Sequence, residues 1–582
     1  MASFELSRRR ALDPGARSLT AGSAHRLLAG LVAVACLASA AAGWWNSATN
    51  DEPYFTLGAY AAVAGEGLWV VEHPPLYKLA AGIPLHSLPL KPPAHPDAVA
   101  FSRLPAVVHG FLHENNVPAL TILRVARLGM LVFLVLLLWG VFRLGEVIAG
   151  PEVGLAAAFA LACQPLVLGH AFVVHTDVPS AACWVWACVY LERFLAGQSQ
   201  AWAGLGVWLG LALAAKHSGV LLLLLVVLRV LVARLRHKPV AFLRLLGALV
   251  LSWLVPFLIT AWTLRHVTVG LEKMLVQLVA QKLAAWSWVR GFFSPLADWC
   301  QACCHWLLGF AFVLWNNTYG QGVNFFWGAF SLHGFALYFP VALVAKLGLP
   351  FTVFWVMALG RWRSLPEGIR WLALYALLYL VAPLGSAFNI GARHLMPAVA
   401  WLSLLVGWML SQLGSGWRAA VLVALLAAPV VSFPHYISHF SLLVGGTRGG
   451  ERIFNDSNLD WGQDWARLAK LAKERGWQPL YAVYIGPDDP AGYGSPMENV
   501  LLTGRFPASG YVAVSSWAAT VGPHYLAYSG FAENARFLRE LLGFLQGCPM
   551  VGQVGDSIRV YRCGERPALP LAPAEPAPTP RE

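Results

Sequence analysis

Apolar runs of about twenty residues recur along this chain, each long enough to cross the roughly 30 Å hydrocarbon core of a bilayer as a helix. They fall at about 27–45, 121–142, 153–171, 178–195, 201–215, 218–234, 240–262, 335–358, 369–388, 396–413 and 417–434. Only 12% of the 582 residues are charged, against about 25% in a soluble domain. The chain therefore reads as a polytopic α-helical membrane protein with about 11 transmembrane helices.

The net charge of +12 would suit a nucleic-acid binder, but its distribution does not. Arg8, Arg9, Arg10, Arg17 and Arg26 precede the first run. Arg143, Arg193, Arg234, Arg236, Lys238, Arg361, Arg363, Arg370 and Arg418 sit in short connections. Basic residues so placed hold their loops in the cytoplasm, so no nucleic-acid partner is expected. The 26 tryptophans suit membrane interfaces. Gly43, Trp44 and Trp45 follow the first run without a small-x-small cleavage pattern, so it reads as an uncleaved anchor. With the N-terminus inside and an odd number of spans, the first loop and everything after about residue 435 share the outer face.

This divides the chain into a cytoplasmic segment 1–26, a membrane region 27–435 with outer loops 46–120 and 263–334, an outer α/β domain 436–565 and a disordered tail 566–582. In the second loop "GLEKMLVQLVAQKLAAW" has helical apolar spacing and is expected to lie along the interface. In the outer domain "SNLDWGQDWARLAKLAKERG" reads as a helix with Asp460 as N-cap and Gly476 as its stop. "PLYAVYIG", "GYVAVSS" and "SIRVYR" read as strands and "ENARFLRELLGFLQ" as a helix. Cys548 and Cys563 are the two cysteines of this region, and an oxidising compartment would let them pair. Cys300, Cys303 and Cys304 lie beside His305, but no second ligand pair stands at zinc-site spacing.

Charges are scarce, so their clustering in the first loop calls for a reason. "TNDEPYF" is a good helix start, with Asn50 or Asp51 as cap and Glu52 and Pro53 in the first turn. A capped carboxylate is also rigid enough to serve as a base at the membrane surface. In "VEHPPLYK", Glu72 and His73 precede a double proline that fixes the backbone ahead of Lys78. The plain reading is an interfacial turn; the alternative is a pair that binds a metal, a sugar hydroxyl or a phosphate. His175 and Asp177 stand at the outer end of the third run, Lys216 and His217 between the fifth and sixth, and Arg393 and His394 between the ninth and tenth. Each alone suits a snorkelling surface charge. Together, the topology brings carboxylates and cations from four separate segments to one membrane face, where cations bind a phosphate and a carboxylate activates a nucleophile. Lys346, inside the eighth run, is an intramembrane charge that is either functional or snorkelling.

In that order, "NDEPYF", "EHPPLYKL", "HTDVPS", "LALAAKHSG" and "GARHLMPAVAWL" resemble the membrane-embedded, polyprenyl-phosphate-sugar-dependent glycosyltransferases of the GT-C fold. Within them the chain is similar to the protein O-mannosyltransferase and aminoarabinose transferase branch. "FNDSNLDWGQDWARLAK" resembles a segment that follows the last span in a bacterial subgroup, and the likeness runs from about residue 27 to 565. The resemblance implies transfer of a sugar, with inversion, from a lipid-linked phosphate donor to an acceptor hydroxyl on the outer face. It implies catalytic roles for Asp51, with Glu52 beside it, and for Asp177. Glu72, His73, Lys78, His175, Lys216, His217, Arg393 and His394 are the implied substrate-binding residues. The family's Glu-Lys pair is Glu72-His73 here, which moves the phosphate-binding role toward Lys216 and Arg393. Asp51 is the expected base. Metal dependence varies in the superfamily, so a divalent cation on Asp51, Glu72, His73 or Asp177 is left open. The expected partners are the donor, a protein, lipid or glycan acceptor and the bilayer, in a bacterial inner membrane. A transporter or flippase for a lipid-linked substrate is the alternative, though polar groups crowd one face and repeats are not evident. A non-catalytic receptor would leave the acidic loop without a role.

Overall fold

A computed structural model describes residues 21–95, 97–236, 241–283, 286–505, 507 and 509–564. Arg8, Arg9, Arg10, Arg17, Lys238 and the tail 566–582 lie outside them. All eleven expected runs are helical. Among the described residues, six helices are long and apolar enough to cross a membrane: Gly22–Gly43, Ala119–Ala149, Phe242–Thr263, Glu367–Gly385, Ala392–Ser411 and Ser415–Ser432. Counting each bent pair as one span raises the number to eight. The other three expected spans are the helices Asp177–Leu195, Ala201–Ala215 and Gly219–Leu235. The latter two have 15 and 17 residues, and the first carries Asp177, Glu192 and Arg193. The protein is an integral membrane protein with six to eight candidate spans rather than eleven full-length ones.

The bent pairs break where the backbone chemistry dictates. Pro165 disfavours the helical conformation of Gln164, and Pro151–Ala162 meets Pro165–Ala171 at 71°. Gly348 and Pro350 split Tyr338–Lys346 from Leu349–Gly360, which turn back at 118°. The Gln164 side chain joins the two breaks by accepting a hydrogen bond from the Gly348 N–H at 3.1 Å. Met396–Ser411 forms the centre of the bundle, with every residue from Met396 to Leu410 buried. Ser415–Ser432 lies at the other extreme, burying Leu425 and Pro429 alone.

The second long loop forms the helices Val269–Lys282, Trp288–Trp299 and Gln301–Tyr319, then a hairpin of β1 (Asn324–Phe326) and β2 (Ala329–Ser331). Trp288–Trp299 buries Val289, Phe293 and Ala297 and exposes Trp288, Phe292 and Trp299, the division expected of a helix lying in an interface. Cys300 and Cys303 form a disulfide in place of a metal patch, leaving Cys304 as a buried thiol.

The C-terminal region carries a five-stranded mixed sheet. Its strands are β3 (Leu480–Val483), β4 (Glu498–Asn499), β5 (Gly510–Ser515), β6 (Met550–Val554) and β7 (Ile558–Cys563). Their order is β4-β3-β5-β7-β6, with β3 parallel to β4 and β5 and the other pairs antiparallel. The helix Ala532–Leu545 buries Ala535, Leu538, Leu541 and Leu545, a spacing of three and four that gives it one apolar face. Asp460 does not cap the helix that its segment opens. That helix is Trp465–Arg475 with Asp464 before it, and Gly476 ends it at φ 64°. Asp460 instead accepts hydrogen bonds from Ser515 Oγ at 2.5 Å and the Trp517 N–H at 2.8 Å.

Cys548 and Cys563 are disulfide-bonded, fastening the end of the last helix to β7 across 15 residues. A closed loop of that size stabilises by about 3 kcal/mol in the chain-entropy model. Replacing both with Ser lowers the thermal midpoint of the outer region, measured by its near-ultraviolet signal. An unchanged midpoint would show that the bond adds nothing.

Candidate active site

The first loop and the C-terminal region meet at one end of the bundle. The Asn50 N–H donates to the Trp461 carbonyl at 2.8 Å, the Ser47 N–H to the Gln463 carbonyl at 3.0 Å, and Ser47 Oγ to the Gly462 carbonyl at 2.7 Å. Backbone bonds of this kind fix position without using side-chain charge. Asp51 precedes the helix Glu52–Ala64, and its side chain makes no capping bond. The carboxylate faces the junction instead.

There it meets the other charged groups expected on this face. Arg393 Nη2 donates to Asp51 Oδ2 at 3.0 Å, and His175 Nε2 is 3.6 Å from the same oxygen. Arg393 Nη1 contacts His175 Nε2. His175 Nδ1 lies 2.6 Å from Asp177 Oδ2, whose other oxygen lies 2.5 Å from Lys216 Nζ. Lys216 also lies 2.9 Å from His394 Nδ1. Asp51, His175, Asp177, Lys216, Arg393 and His394 thus form one connected network drawn from four segments. Within it Asp51 is 35% exposed, His394 25% and Lys216 16%, whereas Arg393 and Asp177 are 2% exposed. The surface presented to a ligand is Asp51, Lys216 and His394.

Arg393 is held from every side. Its guanidinium lies 4.1 Å from the centre of the Trp461 ring, and Nε donates to Ser457 Oγ at 3.1 Å. Gly391 makes this approach feasible, because a Cβ there would lie 2.1 Å from Ser457 Oγ. Ser457 Oγ in turn donates to the Ile390 carbonyl at 2.5 Å. Bonded to Asp51, His175 and Ser457, Arg393 orients the Asp51 carboxylate. Burial pushes the Asp51 carboxyl up, but Arg393, then His175 and His73, outweigh it and hold the group well below the usual carboxylate range.

Glu52 has a different part from the catalytic one expected of it. It is fully buried, and its carboxylate accepts two hydrogen bonds from Arg127, at 2.8 and 2.6 Å. It also accepts from the Val174 and Thr49 N–H groups. Arg127 donates onward to the Asn46 and Ser47 carbonyls at 2.9 and 2.7 Å. This pair ties the first loop to the helix Ala119–Ala149 and to the bends before Asp177.

Lys78 and His217 are likewise withdrawn from the exposed face. Lys78 Nζ donates to the Trp69 and Val70 carbonyls at 2.8 and 2.9 Å, closing the turn that holds Glu72 and His73. Burial brings its ammonium down to about 8 despite Glu72. His217 packs edge-on to Trp306, and with Lys78, His73 and His305 it lines a cavity of about 10 Å³. His73 stays near the network, its ring centre 6.4 Å from that of His175. Burial, then His175, pushes the His73 imidazole well down, and burial pushes the Glu72 carboxyl up. Lys346 is fully buried and donates to the Ile437 and Asn458 carbonyls at 2.8 and 2.6 Å. It anchors the segment that carries Ser457 and Trp461.

The four candidate metal ligands do not converge. Asp177 is taken by His175 and Lys216 and Asp51 by Arg393. Among the described residues no group of three or more His, Cys, Asp or Glu side chains is set to hold a metal ion.

A polytopic helical bundle with an ion network at one end, roofed by a small mixed sheet, is the class of membrane protein that fold and site define. Residues 122–260 match the family described as dolichyl-phosphate-mannose-protein mannosyltransferase. Over that segment, about a quarter of the chain, the sequence is similar to this family. The structure is similar to ArnT from Cupriavidus metallidurans bound to undecaprenyl phosphate, with a TM-score of 0.47 and 13% identity over 92% of this chain and 97% of that one. It is also similar to the oligosaccharyltransferase AglB from Archaeoglobus fulgidus in complex with an inhibitory peptide and a dolichol-phosphate. There the TM-score is 0.42 and the identity 14%, over 77% of this chain and 58% of that one. No curated protein matches the chain.

Proposed function

We propose that this protein is a glycosyltransferase that moves a sugar from a polyprenyl-phosphate donor to an acceptor hydroxyl on the outer face of a bacterial inner membrane, inverting the anomeric carbon. The observation that carries this reading is the single network in which Asp51 and Lys216 are the accessible carboxylate and ammonium. Asp51 lies where it can accept a hydrogen bond from the acceptor hydroxyl. Lys216, with His394 accepting from it, lies where the donor phosphate would meet positive charge, and loss of a stable phosphate leaving group needs charge neutralisation more than a proton. Asp177 acts through Lys216 and His175, holding both in place. The region 436–565 serves as an outer domain that closes over the site, as its bonds to the first loop support. Arg193 and Arg234, in the last turns of the helices Asp177–Leu195 and Gly219–Leu235, support the orientation.

Lys216→Met is expected to raise the donor KM about ten- to a hundredfold, the worth of a charge-assisted hydrogen bond. Steady-state kinetics with polyprenyl-phosphate sugars in lipid checks it. An unaltered donor KM would remove Lys216 from donor recognition.

A further inference from the structure

A cavity of about 810 Å³ lies between the helices Gly22–Gly43, Pro151–Ala162 and Ser415–Ser432, away from the ion network. It arises because these helices do not close on one another. Ser415–Ser432 buries Leu425 and Pro429 alone, and the facing helices put Gly30, Ala35, Ala38 and Ala156 into the lining. Side chains so small leave the space unfilled, and a Cβ added at Gly30 would meet nothing within 4 Å. Val34 and Val430 of the lining are exposed, so the cavity opens sideways onto the surface that faces the bilayer.

The two charged residues of the lining, Glu152 and Arg418, stand together at one end of it, each in the first turn of its helix. Arg418 Nη1 lies 4.0 Å from Glu152 Oε2, and both side chains are 35% exposed. Arg418 Nη2 donates to the Ser411 and Leu413 carbonyls at 3.4 and 3.0 Å. At 4.0 Å the carboxylate and the guanidinium are neighbours without a hydrogen bond, so the first can still accept from an ammonium and the second donate to a phosphate. This is the end far from the ion network, since Met396–Ser411 starts beside Arg393 and runs its length before the chain turns into Ser415–Ser432. From Leu27 to Ala38 the lining follows the first helix for eleven residues of rise, about 16 Å. That depth is close to half of a hydrocarbon core of roughly 30 Å, the reach of a lipid chain in one leaflet.

We propose that this cavity binds a diacyl phospholipid with a phosphoethanolamine headgroup, its chains in the cavity, its phosphate on Arg418 and its ammonium on Glu152. The site goes beyond the transfer reaction and does not depend on it. A headgroup carrying negative charge alone would meet the Glu152 carboxylate, whereas a zwitterion matches both members of the pair. A polyprenyl phosphate is set apart by position, because Lys216, the ammonium accessible to a phosphate in the ion network, lies at the other end of the bundle. A partner helix is too large, since 16 Å of a helix about 10–12 Å across takes about 1,300 Å³ or more. The bound lipid supplies the packing that Ser415–Ser432 lacks and holds that helix to the bundle.

Native mass spectrometry of the full chain tests this, with dipalmitoyl phosphatidylethanolamine and dipalmitoyl phosphatidylglycerol as probes that differ in headgroup alone. The wild type is expected to bind the first about tenfold or more tightly than the second, the worth of a charge-assisted hydrogen bond. Glu152→Gln weakens binding of the first lipid to the level of the second. Gly30→Leu fills the cavity and weakens both, while its thermal midpoint in lipid-free detergent stays at the wild-type value because the new side chain enters open space. Equal affinities of the wild type for the two lipids, or an unchanged preference in Glu152→Gln, would overturn the proposal. Undiminished binding to Gly30→Leu would put the lipid elsewhere and overturn it as well. Displacement of bound phosphatidylethanolamine by polyprenyl phosphate would give the cavity to the chain of that lipid and likewise overturn it.

Discussion

Asp51→Asn lowers sugar transfer by about a hundredfold or more and leaves donor binding in place. Asp51 is the exposed carboxylate of the ion network, and its charge is what Arg393 and His175 are gathered around. Asn retains the volume and one acceptor oxygen, so the loss falls on the oriented charge that the acceptor hydroxyl meets in the transition state. The effect therefore appears in kcat, with donor KM nearly constant. Steady-state transfer with a parallel donor-binding measurement reads both. Unaltered kcat in Asp51→Asn would take the residue out of the reaction.

Arg127→Met is expected to destabilise the protein by about 3–5 kcal/mol, the cost of leaving one member of a buried ion pair without its partner. Both side chains are fully covered, and Arg127 also satisfies the Asn46 and Ser47 carbonyls of the first loop. Removing it strands the Glu52 charge and frees the turn that places Asp51, so activity falls along with stability. Adding Glu52→Gln to Arg127→Met recovers part of the loss, since the stranded charge is gone. Thermal unfolding in detergent of the single and double variants checks this. A midpoint for Arg127→Met equal to that of the wild type would contradict a structural role for the pair.

The apolar runs foretold the helices, because a bilayer leaves few alternatives for twenty apolar residues. They overstated the spans, since the same composition serves a helix packed inside a bundle, as in Ala201–Ala215. The two breaks had local signals in Pro165 and in Gly348 with Pro350, yet continuous hydropathy runs through them. The meeting of Asp51, His175, Asp177, Lys216, Arg393 and His394 was legible because topology alone carries their segments to one face. Which of them face a ligand was not. Glu52 and Asp51 are adjacent and chemically alike, and only a partner 75 residues away decides that Glu52 is buried. Arg127 sits in an apolar run with no local mark of that pairing. Ser457 and Trp461 lay in a motif that resemblance singled out, "FNDSNLDWGQDW", but their contacts with Arg393 span more than sixty positions. Asp460 and Asp464 are equally good caps by type, and the choice between them is made by Ser515 and Trp517 from the sheet.

The most direct test of the account is transfer by the purified wild-type protein in lipid. Radiolabelled polyprenyl-phosphate sugars serve as donors and a membrane and envelope extract as the acceptor source. Label is expected to move from the lipid phosphate into an acceptor, with release of polyprenyl phosphate. Tight donor binding without transfer from any sugar tried would contradict it, and would point to a protein that moves lipid-linked substrates rather than one that glycosylates.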